Sequence, residues 1–458
     1  MTAGELTQAE LGTADVPQAE AGAREVERRD QTQPAEGAAR LLRGLRADGA
    51  ALTLAEHVAL HGALPLGGAD LVEVVEASGL LGRGGAGFPL GTKLRTVRDA
   101  GSALRRPVLV VNAAESEPAS RKDAVLMTRA PHLVLDGAVL AAHAVGAKEA
   151  VVWLHRGRPA VLRAVEAALA ERRAAGLPGP SFRVVEGPPR YVGGESTAVV
   201  AHLSGRDARP ITAPPLIARK GVGGKPTLLS NAETFAHFAL LVRRGTPWFR
   251  SAGTQAEPGT MLVTVVGAVA VPGVVEAPVG TALGDLVTAS GGFAGTPTAL
   301  LVGGYAGSWL PADRLDLAYS RAGLLPAGAD PGVGMLVVLP AGACPVHETA
   351  RLAAWLADER VGQCGPCLNG LPALAQASRA LAYGGGDATS MSAPDQLRRW
   401  AGMVEGRGAC HHPDGVVRLV RSLLLAFPGE VARHAAGRAC ADAQPAIVLP
   451  GRGDGSWR

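Results

Sequence analysis

The chain has 458 residues, a formal net charge of +4 and 47% apolar residues. This length and apolar content predict roughly two to four domains with substantial buried cores. The small net charge, and the lack of Lys/Arg clusters interleaved with aromatic residues, argue against a nucleic-acid partner.

Residues 1–45 are predicted to form a solvated, disordered tail. The first 30 of them carry mixed charge and contain no apolar core of the kind found in signal peptides, so we expect a cytoplasmic protein. The most apolar long window, residues 261–275, contains Gly267, Pro272 and Gly273, which predicts a strand–turn–strand unit rather than a transmembrane segment.

Strand and helix patterns alternate through the first half of the chain. Helices are predicted over residues 56–62, 69–78, 132–145 and 159–173, and Gly79 is predicted to end the second of them. Short strands are predicted over residues 107–111, 150–154 and 182–185. This alternation predicts an α/β fold with a mostly parallel sheet and a ligand at the carboxyl ends of its strands.

The pattern changes twice in the second half. Residues 261–339 contain short Val-rich strands separated by Pro-Gly and Gly-Gly turns, which predict a small α+β module. Beyond Val346 the pattern is helical as far as Arg438. The five cysteines are too few and too clustered for a disulfide framework, so the C-x-x-C at Cys364 and Cys367 indicates metal or redox chemistry.

The stretch GLLGRGGAGFPLGTKL (residues 79–94) is rich in glycine. Gly82, Gly84 and Gly87 match a dinucleotide fingerprint in spacing, although a helix rather than a strand precedes them. Glycines, here also Gly85, let backbone N–H groups converge on an anion, and the cations Arg83 and Lys93 complement a phosphate. The alternative is a merely flexible loop, but Phe88 and Pro89 in its middle favour a nucleotide or flavin phosphate site.

Three further stretches agree with such a site. VNAAESEPASRKD places Asn112, Glu115 and Glu117 at a strand end, where carboxylates can bind ribityl or ribose hydroxyls or can simply be solvated. RYVGGESTAVV places Tyr191, Gly194 and Glu195 at a predicted helix start, where a carboxylate is favoured by the helix dipole. GGKPTLLSNAETF offers Ser230 and Asn231 before another helix.

These four segments, in this order, resemble the FMN-carrying, NADH-oxidising flavoprotein subunit of respiratory complex I (the 51 kDa, or F, type) and its relatives in NAD-linked hydrogenases and formate dehydrogenases. The resemblance covers residues 66–426. It implies a Rossmann-like FMN-binding α/β domain over residues 46–250, a ubiquitin-like β-grasp (SLBB) domain over 251–340 and a helical iron–sulfur domain over 341–440. The tails would then be residues 1–45 and 441–458.

The resemblance also implies roles for individual residues. Phe88 and Glu117 would face the nicotinamide nucleotide. In the family a hydride passes from NADH to the flavin, which then releases electrons singly through the cluster. The FMN would be surrounded by Gly82, Arg83, Gly84, Gly85, Gly87, Lys93, Asn112, Glu115, Tyr191, Gly194, Glu195, Ser230 and Asn231.

The chain departs from the family pattern where NADH binds. Ala114 and Ser196 stand where the family has acidic residues, and Ala213 stands where it has a lysine. Thr96 and Leu216 replace two Phe side chains that stack on adenine. Each lost stacking ring weakens binding by ~1–3 kcal/mol if base–aromatic stacking on single-stranded nucleic acids is a guide. The donor is therefore predicted to be NADH bound weakly, or another small molecule or a ferredoxin.

The cysteine motif departs from the family in a similar way. The resemblance implies that Cys364, Cys367 and Cys410 bind an iron–sulfur cluster, with Val361 where the family has its first ligand. A 4Fe-4S cluster would need an outside ligand or His411 or His412, and a 3Fe-4S cluster would lack one iron. Structural zinc and no metal are the alternatives. Cys344 is predicted to be a buried small hydrophobe and Cys440 to be free.

Two functions from different classes remain open at this stage. The first is a flavin- and iron–sulfur-dependent oxidoreductase subunit of the NADH dehydrogenase (quinone) type, with a small iron–sulfur protein as partner. The second is a degenerate, non-catalytic paralogue that serves binding or assembly. The retained glycine loop favours the first, because a protein without FMN has little need of so many glycines.

Overall fold

The computed structural model describes residues 31–34, 39–212, 215–384, 391–440, 442–451 and 456–457. Ala213, one of the departures from the family pattern, lies outside these residues. The helices and strands of the first half are β1 (Gln31–Pro34), α1 (Leu54–His61), α2 (Leu71–Ser78), α3 (Leu90–Ala100), β2 (Val108–Asn112), α4 (Lys122–Arg129), α5 (Pro131–Val145), β3 (Glu149–His155), α6 (Pro159–Ala174), β4 (Ser181–Gly187), α7 (Ser196–Leu203), β5 (Thr227–Asn231), α8 (Ala232–Arg244) and α9 (Thr246–Arg250).

The second half contains a second group of strands and then helices alone. Its elements are β6 (Thr260–Gly267), β7 (Gly273–Pro278), α10 (Leu283–Ala289), β8 (Pro297–Val302), β9 (Ser308–Pro311), α11 (Arg321–Leu324), β10 (Met335–Pro340), α12 (Pro345–Asp358), α13 (Leu371–Tyr383), α14 (Ala393–Val404), α15 (His412–Ala426) and α16 (Pro428–Ala435). The predicted change of texture after the first half is therefore confirmed.

The first sheet is parallel throughout, in the order β4-β3-β2-β5. Helices cover both faces, which explains why β2 is a continuous apolar run with Val108 to Val111 all buried. On one face α5 lies so close to α8 that a Cβ on Gly137 would overlap the backbone of Phe235. Gly79 ends α2 in the left-handed conformation, φ 72°, as predicted. The predicted parallel α/β sheet is confirmed.

The second sheet is mixed, in the order β1-β7-β6-β10-β8-β9. The pair β6 and β7 is antiparallel, which confirms the strand–turn–strand prediction for residues 261–275. The two faces of this sheet pack against different parts of the chain. In β8, Leu300 and Val302 pack towards α10, whereas Ala299 and Leu301 pack in the core shared with the C-terminal helices. The second sheet therefore packs against α10 on one face and against the C-terminal helices on the other.

Both predicted tails are packed where the structure describes them. Leu41 and Leu42 are buried, and their backbone N–H groups donate to the carboxylate of Glu276, in β7. Near the other end Ile447 is buried, and the backbone N–H of Ala446 donates to Glu348 at 2.8 Å. Residues 39–45 are thus packed rather than solvated and disordered as predicted, and residues 442–451 pack as well, because both segments bury apolar side chains and pair their backbone groups.

Within the described residues, no single helix combines the length and the apolar character needed to cross a membrane. The adjacent helices α4 and α5 meet that test only when taken together, across a 95° bend.

Candidate cofactor and cluster site

The glycine loop, residues 82–87, lies over the start of α8. The backbone N–H of Arg83 donates to Thr234 Oγ1 at 2.9 Å, and a Cβ added to Gly84 would lie 3.5 Å from the Cβ of Asn231. Asn231 precedes α8 without capping it through its side chain, and the N–H of Glu233 in the first turn of α8 donates to Asp123 Oδ1 at 3.2 Å. The first and fourth motifs thus lie together at the start of α8.

The backbone of the loop is shaped for an anion. Gly85 and Gly87 have φ of 99° and 61°, a region that favours glycine. Gly82 donates its N–H to the carbonyl of Phe88 at 2.9 Å, but the N–H groups of Gly84, Gly85 and Gly87 find no acceptor in the described part of the chain. Free N–H groups on a glycine loop of this kind fit the phosphate of FMN.

Two cations of the motif lie beside the loop, Arg83 buried and Lys93 half-buried. Arg83 donates to the carbonyl of Pro258 at 2.9 Å, and within the described residues its Nε has no partner. Burial lowers the pKa of Arg83, and the carboxylate of Glu233 opposes this shift. Burial also lowers the pKa of Lys93, whose Nζ donates to the carbonyl of Leu229 at 3.2 Å. Both cations are fixed in place before any ligand arrives.

A third cation, Arg321, is the first residue of α11, which lies between two strands of the second sheet in the chain. Its guanidinium donates to the carbonyl of Gly85, pairs with Asp330 at 2.6 Å, and occupies the space that a Cβ on Gly87 would need. Sequence reasoning missed this residue, because Arg321 lies outside every motif and 236 residues from Gly85. Arg321 holds the outer side of the glycine loop.

The second and third motifs meet at the same edge of the first sheet. Asn112 and Asn231 are register partners at the ends of β2 and β5. Asn112 Nδ2 donates to the carbonyl of Gly194 at 2.8 Å, and a Cβ on Gly194 would overlap Ser116 Oγ. Ser230, one residue before Asn231, is buried in the same strand. All four predicted motifs therefore converge where the parallel strands end.

The carboxylates of Glu115 and Glu195 each accept hydrogen bonds from the start of the helix that follows them. Glu115 accepts from Ser120 Oγ at 2.5 Å and from the first N–H groups of α4. Glu195 accepts from the N–H groups of Thr197 and Ala198 at 2.9 and 3.0 Å, which confirms its predicted place at a helix start. The alternative for Glu115 was a solvated carboxylate in a loop. The structure instead shows this carboxylate accepting hydrogen bonds at the start of α4.

Glu117 lies at the junction with the second sheet. It is 4% exposed and accepts from the backbone N–H of Tyr305 at 2.9 Å and from the hydroxyl of Tyr191 at 3.3 Å. Burial raises its pKa to about 7. A carboxyl group that changes charge near neutral pH thus touches the loop of the third motif.

The raised pKa of Glu117 predicts a pH-dependent gain in stability for Glu117→Gln. The native carboxyl keeps its proton to a higher pH than the unfolded chain does, so its burial costs nothing at low pH and destabilises the fold as the pH rises towards 7. The full penalty is ~3 kcal/mol. We expect thermal denaturation at pH 8 to show a gain of up to that size for Glu117→Gln.

The gain should fall below about 1 kcal/mol at pH 5, because this pH lies only about half a unit above the ordinary pKa of 4.5 and well below the native pKa. Glu73→Gln, a change at an exposed residue of α2, serves as the control and should show no such difference between the two pH values. An equal gain for Glu117→Gln at both pH values would show that charge burial is not its cause.

Three of the five thiols lie in one neighbourhood beyond the flavin motifs. Cys367 is buried and accepts the backbone N–H of Gly362 at 3.2 Å. Burial raises the pKa of Cys410 to about 11, and the neighbouring charges of Glu195, Cys367 and Cys364 add to the shift. Thiols grouped in this way, with an N–H group on one sulfur, are a donor set that fits an iron–sulfur cluster.

The fourth ligand of a cubane cannot come from Val361, which is buried and has no donor atom. His411 is fully exposed and pairs with Asp414 at 3.5 Å. His412 is buried, and its Nε2 donates to the carbonyl of Leu356 at 2.8 Å. Its Nδ1 is buried without a partner in the described part of the chain. Of the two predicted histidines, only His412 has a buried nitrogen left for a ligand.

Tyr191 connects the flavin motifs to the cysteine region. Its backbone N–H donates to Glu359 at 2.9 Å, and its ring lies edge-on to Trp355 at 5.4 Å. The ring of His412, two residues after Cys410, lies 5.3 Å from the Tyr191 ring. Between the third motif and the cysteine region there is thus continuous packing, which is the arrangement that electron transfer from a flavin to a cluster needs.

The positions implied for NADH have little aromatic surface. Phe88 is 46% exposed, with Lys93 Nζ 5.8 Å from its ring centre. Thr96 donates to the carbonyl of Thr92 within α3, and Leu216 is 59% exposed. No ring therefore stands at either of the two predicted adenine-stacking positions.

Three family models match the chain in the predicted order. The Nuo51 FMN-binding domain matches residues 75–239 and the SLBB domain matches residues 262–304. The NADH-ubiquinone oxidoreductase-F iron-sulfur binding region matches residues 347–434. The second match includes β6 to β8, and the third includes Cys364, Cys367 and Cys410.

Curated relatives are similar over most of their length. The F subunit of NADH-quinone oxidoreductase from Mycobacterium tuberculosis (strain H37Rv) is 34% identical in an alignment that covers 83% of this chain and 88% of that protein. Its counterpart in Streptomyces coelicolor is 34% identical over 83% of this chain and 86% of its own. The HndC subunit of the NADP-reducing hydrogenase of Solidesulfovibrio fructosivorans is 28% identical over 84% of this chain and 81% of its own length.

A solved structure of NAD+-reducing NiFe-hydrogenase in the H2-reduced state is similar in fold. The two chains superpose with a TM-score of 0.73 at 32% identity, over 81% of this chain. The match spans only 62% of the hydrogenase chain. The resemblance seen in the sequence is confirmed by all three comparisons: the chain belongs to the family of the NADH-quinone oxidoreductase F subunit, with its FMN-binding, SLBB and iron–sulfur regions.

Proposed function

We propose that this chain takes electrons from NADH at a bound FMN and passes them to an iron–sulfur cluster at Cys364, Cys367 and Cys410. The observation that carries the proposal is the convergence of four distant motifs at one sheet edge, with Tyr191 of the third motif packed against His412, two residues after Cys410. Family membership supports an NADH-type electron-transfer flavoprotein, and nothing in the comparisons favours the degenerate paralogue.

The chain's own residues would bind and orient the flavin. The N–H groups of the glycine loop and of α8 would hold the phosphate, with Arg83 and Arg321 supplying positive charge. Asn112 and Tyr191 would orient the ring system at the strand ends. The chemistry supplied by bound FMN is acceptance of a hydride followed by release of single electrons.

The residues proposed for the cofactor are those predicted from the sequence. Phe88 and Glu117 are proposed for the nicotinamide side, Phe88 because its ring is exposed at the mouth of the loop and Glu117 because it adjoins Tyr191. The proposed FMN residues are Gly82, Arg83, Gly84, Gly85, Gly87, Lys93, Asn112, Glu115, Tyr191, Gly194, Glu195, Ser230 and Asn231, to which the structure adds Arg321.

Partners and location are part of the same proposal. Because the relatives are named as subunits, partner subunits are expected. We propose a small iron–sulfur protein beside the helical part, a cytoplasmic location, and the domain division 46–250, 251–340 and 341–440, with packed terminal segments.

The test is to purify the full chain without oxygen, measure its FMN, iron and visible spectrum, and add NADH. We expect a yellow-brown protein whose flavin absorption bleaches on addition of NADH. A protein that is brown but unchanged by NADH would retain the cluster and overturn the nicotinamide donor. A colourless protein after reconstitution with FMN and iron would overturn the whole proposal.

Restoring the two missing rings is expected to strengthen NADH binding. The double variant Thr96→Phe/Leu216→Phe places aromatic faces at the two adenine positions that the family resemblance implies. A gain of ~1–3 kcal/mol per ring corresponds to a fall in KM for NADH of roughly 5- to 150-fold per ring. Steady-state kinetics with an artificial electron acceptor would measure it.

Leu104→Phe is the matched control, because Leu104 is 98% exposed and lies outside every motif. It adds the same aromatic surface elsewhere and should leave the KM unchanged. An unchanged KM in the double variant as well would show that these positions do not contact the adenine.

A further inference from the structure

A second group of metal-binding side chains lies away from the flavin and the three clustered thiols. It consists of Cys344, Glu430, His434 and Cys440, and one donor atom from each lies within 4.8 Å of all the others. Cys344 was predicted to be a buried hydrophobe and Cys440 to be free. Cys344 is indeed buried, but the structure brings both thiols to one carboxylate and one imidazole.

The distances suit a small tetrahedral ion. Cys344 Sγ lies 3.5 Å from His434 Nε2, and Cys440 Sγ lies 3.9 Å from Glu430 Oε2. Bonds of about 2.0–2.3 Å from a tetrahedral zinc place its donor atoms roughly 3.3–3.8 Å apart. Since all four donors lie within 4.8 Å of one another, movements of about an ångström or less would bring them around one ion.

The local structure explains how the four side chains meet. Glu430 and His434 are four residues apart on α16, so they share one face of that helix. After α16, Gly437 with φ 75° turns the chain back, which returns Cys440 to the same face. Cys344 immediately precedes α12 and approaches from the other side.

The surrounding charges fit a divalent cation. Two thiolates, one carboxylate and a neutral imidazole carry three negative charges, so a divalent ion would leave one. The guanidinium of Arg433 donates to Cys440 Sγ at 2.9 Å and pairs with Glu430, which would neutralise the remainder. Thiolate ligands in such a set favour zinc over magnesium, calcium or manganese.

The second nitrogen of His434 is also enclosed by protein. Its Nδ1 is buried and has no hydrogen-bond partner within the described residues. The ring of His434 lies 5.3 Å from the ring of His347 and at right angles to it. The imidazole is therefore held among neighbouring side chains while its Nε2 lies beside Cys344.

We propose that Cys344, Glu430, His434 and Cys440 bind one zinc ion, as a structural site separate from the iron–sulfur cluster. With four protein ligands the site has no open position, so a catalytic role is excluded for it. The ion would join α16 to the start of α12 at the point where the C-terminal segment turns back. There Gln444 donates its N–H to the carbonyl of Gly342 at 2.9 Å.

The first experiment counts zinc and its ligands in the full, tag-free chain purified without oxygen. We expect about one zinc per chain by elemental analysis, and a zinc absorption-edge spectrum with two sulfur and two nitrogen or oxygen neighbours. Three sulfur neighbours would instead place zinc at Cys364, Cys367 and Cys410. That result, or a chain that binds no zinc when zinc is supplied, would overturn the proposal.

The second experiment separates the two metal sites by substitution. Cys440→Ser should lower the zinc content about tenfold and leave iron and FMN unchanged, whereas Cys364→Ser should lower iron and leave zinc unchanged. Zinc lost with Cys364→Ser but retained with Cys440→Ser would overturn the assignment. If Cys440→Ser does not fold, the sulfur count of the unchanged chain still decides.

Discussion

The Gly84→Val variant should fold as the parent chain does and bind FMN far more weakly. Gly84 is not in the left-handed φ region, and the three atoms nearest to an added Cβ all belong to Asn231, the closest at an unstrained 3.5 Å. The protein itself can therefore accept a side chain there. The branched side chain would occupy space between the glycine loop and the start of α8, which is where the phosphate is proposed to bind.

The size of the effect follows from steric overlap. Overpacking of a filled site typically costs ~1–3 kcal/mol, which is a loss of affinity of roughly 5- to 150-fold. Titration of the FMN-free chain with FMN, followed by flavin fluorescence, would measure it. Gly402→Val, at an open position on α14, is the matched control and should bind FMN normally. Unchanged FMN affinity in Gly84→Val would remove the loop from the cofactor site.

The Cys367→Ala variant should lose the iron–sulfur cluster while it keeps its FMN. Cys367 is the most buried of the three clustered thiols, and it is the one that accepts a backbone N–H. With only two thiolates left, and Val361 unable to contribute, the cluster has too few ligands to persist. Iron content should fall about tenfold relative to the parent chain, and the reduced protein should lack the paramagnetic signal of a cluster.

The flavin of this variant should still be reduced by NADH, because Cys367 lies outside the four flavin motifs. Cys344→Ala is the matched control, since Cys344 is also buried but belongs to the other group of side chains. It should retain full iron. An unaltered iron content in Cys367→Ala would mean that the cysteine motif does not hold the cluster.

Much of the fold and the site was accessible from the sequence because the signals are local. Runs of β-branched residues such as 107–111 predict buried strands, and Gly79 predicts the end of a helix. The convergence of the four motifs could be predicted, because loops at the carboxyl ends of parallel strands lie together. Glu195 at a helix start was predicted for the same kind of local reason.

The contacts that could not be predicted join residues far apart in sequence. Leu41 binds Glu276 across 235 positions, and Arg321 reaches Gly85 across 236. Neither residue stands in a periodic pattern or a motif, so nothing local identifies its partner. The group around Cys344 and Cys440 was missed likewise, because its members come from both ends of the helical part and only the fold brings them together.

The contact between Arg321 and the glycine loop has a thermodynamic consequence. The proposed phosphate site is completed by a residue from the neighbouring module, so an isolated first domain would offer an incomplete site. Flavin occupancy and the docking of the two modules are then linked equilibria, and each must favour the other by the same free energy. Cofactor binding would stabilise the contact between the two modules, and separation of the modules would weaken cofactor binding.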